Sequence, residues 1–417
     1  MVTFQINGAK PLAGRVRISG SKNAVLPILC ATLLTEEHCI IRNVPEIADV
    51  KTLVTICEGL GSKISFANHT LETDNSALKS FSPDAALVKK LRGSILLIGP
   101  LLSRFGQVVM PFPGGDLIGK RPIDTHLLAL KDFGAVVEES DALRISGKLK
   151  GAETILNELS VTATENAIMA AVFAQGQSQI HLAAAEPHVQ DLCRFLNAMG
   201  AKISGIGTHD IVIDGVTKLH GVDYTIISDD AVASSFMNLA AATKSELLIE
   251  NIEPKYLYSP IIQLRQMNVN FEVLKDSIKI NKPLGAYKAA KIKTNIFPGL
   301  MSDYIPPFAV LATQAEGKSV IHEWMYEGRL GYIHELAKMG ARCRILDQHY
   351  AEIEGPNNLY GTNVSSLDLR SGMVLIIAAL VAEGKSVLHD AEHIDRGYER
   401  IDEVLRSIGA DIERVNQ

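Results

Sequence analysis

Basic residues recur in loops where the sequence predicts that a helix is about to begin. These residues are Lys22, Arg121, Arg329, Arg370 and Arg396. The N-terminus of a helix offers unpaired N–H groups and positive potential, so anions bind there readily. Taken singly, each cation is also compatible with a solvent-exposed loop. Gathered in one site, they would bind multiply charged anions such as phosphates and carboxylates.

Two acidic residues lie among these cations: Asp116 in a glycine-rich segment (113–124) and Asp303 before a predicted helix. Side by side they would suit general acid and general base duty, although a turn residue and a helix N-cap are the local alternatives. The sequence contains no Walker loop and no dinucleotide-binding glycine fingerprint, which disfavours ATP and NAD. The histidines have no metal-ligand spacing, so we expect no metal and no other cofactor.

The composition is that of a globular protein of two or three domains, with 417 residues, 47% hydrophobic and 21% charged. A net charge of −6 excludes the basic surface of a protein that coats nucleic acid. Apolar runs are shorter than the ~20 residues of a membrane span, and no signal-peptide pattern begins the chain. The odd number of cysteines, 5, favours free thiols in a reducing compartment. We therefore expect a cytoplasmic enzyme for small-molecule substrates, without nucleic acid or membrane insertion, as a monomer or weak homo-oligomer.

One structural unit recurs six times along the chain. Turns of the type Leu-x-x-Met-Gly-Ala-x-Ile follow amphipathic helices at roughly 70-residue intervals, centred on Gly61, Gly134, Gly200, Asn268, Gly340 and Gly409. Each unit is predicted as βαβαββ, and its first helix, for example 373–382, is apolar nearly all round and so belongs inside a core. We predict an α/β fold of two domains with three units each, comprising 21–228 and 1–20 plus 229–417. Strands at 2–7 and 14–19 would complete sheets formed later in the chain.

The loops of these units carry a family resemblance that runs from Gly14 to Val415. The motifs are Gly-Ser-Lys-Asn (20–23), Pro-Gly-Gly-x-x-Ile-Gly-x-Arg-Pro-x-Asp (113–124), Ser-Val-x-Ala-Thr (160–164), Asp-Leu-Arg (368–370) and His-Ile-Asp-Arg-Gly-Tyr-Glu-Arg (393–400). In these motifs the chain resembles the UDP-N-acetylglucosamine 1-carboxyvinyltransferase family of enolpyruvyl transferases. The resemblance implies two inside-out α/β domains with the active site in the cleft between them. It also implies transfer of the enolpyruvyl group of phosphoenolpyruvate to the sugar 3-hydroxyl, the first committed step of peptidoglycan synthesis.

The resemblance also implies roles for individual residues. Asp303 would take the proton of the sugar 3-hydroxyl, and Asp116 stands where the family places its general acid. Phosphoenolpyruvate would be bound by Lys22, Asn23, Arg121, Arg370 and Arg396. The sugar nucleotide would be held by Arg92, Arg121, Pro122, Ile123, Asp124, Thr125, Ser160 and Val161, with Met325 beside it. Arg329 and Asp368 complete the substrate-binding set, and Lys22 and Arg396 join the two aspartates as catalytic residues.

Several positions depart from the family pattern. Asp116 replaces the usual cysteine, so we expect resistance to covalent inactivation by fosfomycin. Thr162 replaces glycine, His188 replaces glutamate, and Asp230 and Val232 replace the arginine and glutamate of a Pro-Asp-Arg-x-Glu motif. These changes concern the acceptor more than the reaction. Alternatives are therefore a paralogue that uses UMP or shikimate 3-phosphate, or a catalytically idle regulator that binds sugar nucleotides.

Overall fold

The computed structural model describes residues 2–114 and 122–416. Their α-helices are α1 (Lys22–Thr32), α2 (Ala48–Leu60), α3 (Ala85–Lys90), α4 (Ile98–Phe105), α5 (Asp124–Asp132), α6 (Val161–Ala171), α7 (Pro187–Ala198), α8 (Asp230–Ala242), α9 (Tyr258–Gln266), α10 (Ile305–Thr313), α11 (Tyr332–Lys338), α12 (Leu369–Val381) and α13 (Ile401–Ser407). Short 3₁₀ helices cover Arg92–Leu97, Pro254–Tyr256, Ser302–Tyr304, Arg329–Gly331 and Ala391–Arg396. Within the described ranges, none of the helices is long and apolar enough to cross a membrane.

The strands are short. They are β1 (Val2–Asn7), β2 (Ala13–Arg17), β3 (Cys39–Arg42), β4 (Lys63–Ala67), β5 (Thr70–Asp74), β6 (Gln107–Met110), β7 (Val136–Glu139), β8 (Leu143–Ser146), β9 (Glu153–Ile155), β10 (Gln177–His181), β11 (Lys202–Ser204), β12 (Asp210–Asp214), β13 (Asp223–Thr225), β14 (Glu246–Glu250), β15 (Phe271–Val273), β16 (Ser277–Ile280), β17 (Lys291–Lys293), β18 (Gly317–His322), β19 (Arg342–Ile345), β20 (Tyr350–Gly355), β21 (Asn363–Ser365), β22 (Lys385–His389) and β23 (Asp411–Asn416).

The described chain forms two compact units. The inserted unit comprises residues 20–114 and 122–227, and the split unit comprises 2–19 and 228–416. In the split unit the sheets have the strand orders β21-β22-β1-β23, β15-β16-β14-β2 and β17-β18-β20-β19. In the inserted unit they are β13-β3-β5-β4, β11-β12-β10-β9 and β6-β8-β7. Each four-stranded sheet contains one parallel pair, and the third repeat (β9-α6-β10-α7-β11-β12) shows the predicted βαβαββ order directly.

The two N-terminal strands complete sheets that are formed late in the chain. β1 pairs with β22 and β23, so that Val2 lies opposite Asn416. β2 runs parallel to β14. The second repeat is the exception, because its sheet has no parallel first strand among the described residues. A single hydrogen bond from Val109 N–H to the Phe81 carbonyl, 3.2 Å long, occupies that edge.

The predicted repeat turns are confirmed by the backbone. All six centres have positive φ: Gly61, Gly134, Gly200, Asn268, Gly340 and Gly409. Glycine adopts this left-handed conformation without steric cost, and asparagine is among the few other residues that tolerate it. The fourth repeat therefore keeps the turn, with φ of 62° at Asn268, although it lacks the glycine.

The apolar helices form the cores, as their sequences predict. In the split unit every residue of α8 and α10 is buried, as is nearly all of α12, and these three helices pack against one another. In the inserted unit α4 packs on α6, and the 3₁₀ helix Arg92–Leu97 contacts both α1 and α6. Because the core helices are wholly buried, their N-terminal residues and the loops before them are the parts that can present polar groups.

Candidate functional site

Three of the predicted site residues meet in the split unit. Asp303 lies in the 3₁₀ helix before α10, Arg329 in the 3₁₀ helix before α11, and Arg370 is the second residue of α12. The Asp303 carboxylate accepts from both guanidinium groups, with Arg329 Nη2 2.6 Å from Oδ1 and Arg370 Nη2 2.8 Å from Oδ2. Arg370 Nε adds a 3.0 Å hydrogen bond to Oδ2. We name these three residues the arginine cluster.

The arginine cluster holds more positive than negative charge. Both arginine side chains are only 5% exposed, whereas the Asp303 side chain is 32% exposed. Burial favours the neutral acid, but the charges of Arg370 and Arg329 outweigh it and hold the Asp303 pKa well below its usual range. Within the described residues, the buried Nε of Arg329 has no hydrogen-bond acceptor. The two guanidinium groups therefore have N–H donors that the Asp303 carboxylate does not use, and these donors can bind an anion.

A capping box fixes the position of Arg370. The Asp368 carboxylate accepts from the backbone N–H groups of Arg370, at 2.7 Å, and Ser371, at 3.1 Å. The Ser371 hydroxyl in turn accepts from the Asp368 N–H. Asp368, predicted to bind substrate, is thus engaged in holding the start of α12.

Arg396 ends a 3₁₀ helix that packs against α12. The contact is close because Gly372 lies at the crossing, where an added Cβ would stand 2.5 Å from the Ile394 side chain. Two residues after Arg396, the Tyr398 hydroxyl accepts from Arg370 Nη1 at 3.3 Å. The motif 393–400 therefore contacts the arginine cluster through Tyr398, and Arg396 itself is partly buried.

Lys22 begins α1 in the inserted unit. Its Nζ lies 2.8 Å from the carboxylate of Asp49, and both side chains are largely buried. Ser21 caps the helix through its hydroxyl, and Asn23 follows Lys22, partly buried. Gly20 is required here because an added Cβ would lie 1.7 Å from the carbonyl oxygen of Asn43. We name Lys22 and Asp49 the lysine pair.

The helices α5 and α6 start side by side in the same unit. His126 Nε2 lies 2.9 Å from the hydroxyl of Thr162, the residue that replaces the family's glycine. Burial, aided by the charge of Arg92, lowers the His126 pKa to about 3, so the imidazole is neutral at physiological pH. We name His126 and Thr162 the helix-start pair.

The remaining predicted residues of the inserted unit surround the helix-start pair. Arg92 donates to the Pro113 carbonyl at 3.4 Å. Ile123 and Thr125 are buried, Pro122 and Asp124 are exposed, and Ser160 and Val161 are partly buried where α6 begins. This arrangement offers the backbone N–H groups at the starts of two helices, with Arg92 and Asp124 beside them. Asp116 and Arg121, the other predicted residues of this segment, lie outside the described residues.

Met325 lies in the split unit, after β18. Its backbone N–H donates to the carboxylate of Glu323 at 2.9 Å, and its side chain is partly buried. Glu323 is fully buried and also accepts from the Ser302 hydroxyl at 2.6 Å. The segment of Met325 is thereby linked to the turn that carries Asp303.

Sequence reasoning did not name three polar residues of these clusters as site residues. Tyr398 belongs to the motif 393–400. His126 lies two residues after Asp124, which is the last residue of the motif 113–124. Asp49 left only the weak signal of an acid in the first turn of a helix with an apolar inner face. Their hydrogen-bond and ion-pair partners lie elsewhere in the sequence, so the sequence did not predict these interactions.

The architecture is that of solved enolpyruvyl transferase structures. The solved structure of the enolpyruvyl transferase NikO from Streptomyces tendae is similar with a TM-score of 0.91 and 25% identity, covering 100% of this chain and 99% of that one. An EPSP synthase structure from Acinetobacter baumannii has a TM-score of 0.78 and 22% identity, covering 100% of both chains. Residues 6–405 match the EPSP synthase (3-phosphoshikimate 1-carboxyvinyltransferase) family.

Curated relatives define the family more closely. The chain is 43% identical to "UDP-N-acetylglucosamine 1-carboxyvinyltransferase 3" of Caldanaerobacter subterraneus subsp. tengcongensis, with 100% of both chains covered. It is 41% identical to the UDP-N-acetylglucosamine 1-carboxyvinyltransferase of Treponema denticola, with 99% of both covered. The chain belongs to the UDP-N-acetylglucosamine 1-carboxyvinyltransferase family, and it is a transferase. The resemblance, the α/β repeat fold and the enzyme class predicted from the sequence are thus confirmed.

Proposed function

We propose that this enzyme transfers the enolpyruvyl group of phosphoenolpyruvate to the 3-hydroxyl of UDP-N-acetylglucosamine and releases phosphate. The observation that carries this proposal is the full-length similarity to relatives named for that reaction. The reaction would stand at the first committed step of peptidoglycan synthesis. The free cysteines of the chain are typical of a reducing compartment, and we propose that the enzyme acts in the cytoplasm.

The chemistry is an addition followed by an elimination. The sugar 3-oxygen adds to C2 of phosphoenolpyruvate and loses its proton to a base, while C3 gains a proton from an acid. The resulting tetrahedral ketal then loses phosphate as a proton leaves C3, which restores the double bond. The excess positive charge of the arginine cluster supports this proposal, because preorganised cations stabilise a departing phosphate.

We assign the base role to Asp303, with one condition. While both of its oxygens accept from guanidinium groups, its pKa stays low and it is a weak proton acceptor. An anionic substrate would compete for Arg329 and Arg370, and loss of those cationic contacts would raise the Asp303 pKa. In this proposal phosphoenolpyruvate binding activates the base.

The other roles follow the family resemblance. We propose that Asp116 is the acid and that phosphoenolpyruvate contacts Lys22, Asn23 and, from the motif positions, Arg121, Arg370 and Arg396. The sugar nucleotide would bind at the starts of α5 and α6, where helix N-termini suit its diphosphate. The proposed acceptor contacts are Arg92, Arg121, Pro122, Ile123, Asp124, Thr125, Ser160, Val161 and Met325.

The test is phosphate release from phosphoenolpyruvate with three acceptors in parallel: UDP-N-acetylglucosamine, UMP and shikimate 3-phosphate. We expect release with UDP-N-acetylglucosamine and at most background release with the other two. Faster release with another acceptor, and none with UDP-N-acetylglucosamine, would identify a paralogue. Binding of UDP-N-acetylglucosamine without release from any acceptor would instead identify a regulator.

A further inference from the structure

A buried tyrosine–aspartate pair lies directly beside the arginine cluster. Tyr304 follows Asp303 in the chain, and its hydroxyl donates to the carboxylate of Asp230, the first residue of α8. Tyr304 is fully buried and Asp230 is 8% exposed. Asp230 is one of the positions that depart from the family pattern, where the motif has arginine. Neither residue is among those assigned above to substrates.

The hydrogen bond from Tyr304 to Asp230 fixes the C-terminal end of the turn that contains Asp303. On the other side of Asp303, the Ser302 hydroxyl donates to the buried carboxylate of Glu323 at 2.6 Å. The turn Ser302–Tyr304 is thus held at both ends by buried acidic acceptors, with Asp303 between them. A shift of either anchor would move the Asp303 carboxylate relative to its two arginines.

The surroundings of Asp230 bring the pKa of its carboxyl group close to neutral pH. Burial raises the Asp230 pKa to about 7, as does the neighbouring Asp229, whereas the Tyr304 hydrogen bond and Arg370 oppose the shift. Burial and Asp230 raise the Tyr304 pKa well above its usual value, so its hydroxyl stays protonated. Near neutral pH, Asp230 would therefore change between a charged and a neutral acceptor.

The other charged groups on elements packed against α8 already have partners. Asp303 and Arg370 belong to the arginine cluster, and Tyr398 bonds to Ser235 of α8 at 2.8 Å as well as to Arg370. On the strands packed against α8, Glu246 pairs with Lys279 and Glu250 pairs with Arg15. Asp229 caps α8 through the Val232 N–H. Asp230 itself has the Tyr304 hydroxyl as its hydrogen-bond donor.

We propose that Asp230 is a positioning residue for enolpyruvyl transfer, which holds the Asp303 turn through Tyr304 and whose carboxylate, near Arg370, opposes anion binding at the arginine cluster. The proposal rests on the proposed function above and deepens it. Its first part predicts a defect in the chemical step, because a small misplacement of a catalytic group costs rate more than binding. Its second part predicts that an added negative charge near Arg370 disfavours an anionic ligand.

The first test compares Tyr304→Phe with Tyr287→Phe. Tyr287 is also buried, and its hydroxyl donates to the Ala241 carbonyl of α8 at 2.8 Å, so the control loses a comparable hydrogen bond away from Asp303. We expect Tyr304→Phe to lower kcat by about 10- to 100-fold with KM values within about threefold. Tyr287→Phe should keep kcat near wild type, with melting temperatures recorded for both variants. Equal kcat in the two variants would overturn the positioning role.

The second test uses Asp230→Asn, whose amide oxygen can still accept from Tyr304 but carries no charge. We expect the phosphoenolpyruvate affinity of this variant, relative to wild type, to rise severalfold between pH 6 and pH 8.5, measured by calorimetry. A constant ratio across that range would refute the electrostatic part. Asp230→Ala, which removes the acceptor, should lower kcat as Tyr304→Phe does, and the double variant Asp230→Ala/Tyr304→Phe should lose no more kcat than Tyr304→Phe alone, since both substitutions remove one hydrogen bond. Additive losses would contradict this.

These readouts separate the proposal from the proposed function. Normal turnover in Tyr304→Phe, with active wild type, removes only the positioning role. If wild type releases no phosphate with any acceptor, the proposed function fails, and the pH-dependent affinity ratio still decides whether Asp230 acts on the arginine cluster.

Discussion

The arginine cluster of the split unit and the helix-start pair of the inserted unit prepare polar sites in opposite ways. The first buries ionised groups, with two guanidinium groups around one carboxylate. The second buries a histidine that is neutral at physiological pH and bonded to a threonine hydroxyl, beside two helix N-termini. The arginine cluster thus provides net positive charge, which the proposed leaving phosphate needs. The helix-start pair provides fixed dipoles, which suit binding without proton transfer.

The lysine pair is intermediate between the two. It holds one cation and one anion, so it carries no net charge, and both side chains are largely buried. A cation in such a pair can move to a substrate anion only at the expense of its partner. Of these three named sites, the arginine cluster is the one that carries excess positive charge.

The largest expected effect is that of Asp303→Asn. We expect kcat to fall by about 10⁴-fold, the upper range for loss of a general base. The KM for phosphoenolpyruvate should fall or stay constant, because removing the carboxylate frees Arg329 and Arg370 for the substrate. Steady-state phosphate release measures both constants. Asp223→Asn, which breaks the exposed pair with Arg42, is the control. An unchanged kcat would show that Asp303 only neutralises the arginines.

Asp116, which lies outside the described residues, is the acid in the proposed mechanism, and its replacement tests that role. We expect Asp116→Ala to lose about 10³-fold in kcat, while Asp116→Cys stays active and becomes sensitive to fosfomycin, since a thiolate opens the epoxide far better than a carboxylate. Mass spectrometry after incubation with fosfomycin detects the adduct. Stoichiometric alkylation of wild type, or normal turnover of Asp116→Ala, would exclude this role.

Lys22→Ala in the inserted unit and Arg396→Ala in the split unit test whether both units contribute a cation to phosphoenolpyruvate binding. Each should lose about 2–4 kcal/mol of transition-state stabilisation, measured as kcat/KM for phosphoenolpyruvate. Lys218→Ala and Arg344→Ala are matched controls, because both side chains are exposed and form surface ion pairs. These controls should change kcat/KM less than threefold. Near-normal turnover of Lys22→Ala would restrict the essential cations to the split unit.

The smallest expected effect concerns the helix-start pair. The His126 pKa is lowered from 6.5 to about 3. Below pH 6.5 the unfolded chain therefore binds a proton at His126 that the folded chain does not bind. Stability is therefore complete above pH 6.5 and falls on acidification, by about 2 kcal/mol at pH 5. His126→Gln should lose this part of the pH dependence in denaturant unfolding followed between pH 7 and pH 5. Equal pH dependence in both proteins would mean that His126 is not buried neutral.

Local patterns in the sequence were sufficient for the repeat architecture. The sequence at Gly61 and its five counterparts indicates a residue with left-handed backbone conformation after an amphipathic helix. This conformational preference depends only on that residue and its neighbours in the chain. The apolar helices α10 and α12 likewise indicate their own burial, because a helix without a polar face is stable only inside a core. The motif loops could also be predicted from the sequence, because each ligand-binding loop before a helix is one continuous stretch of the chain.

Only the tertiary structure decided which polar groups meet. Asp303 contacts Arg329 and Arg370, Tyr304 contacts Asp230, and Lys22 contacts Asp49, and every pair joins separate repeats or elements. No periodicity encodes such a contact, because it depends on how whole helices pack and where their first turns end. The same packing sets the ionisation states. The sequence therefore determined the six-unit fold and the loops with chemistry, while burial and partner choice determined which side chains are charged.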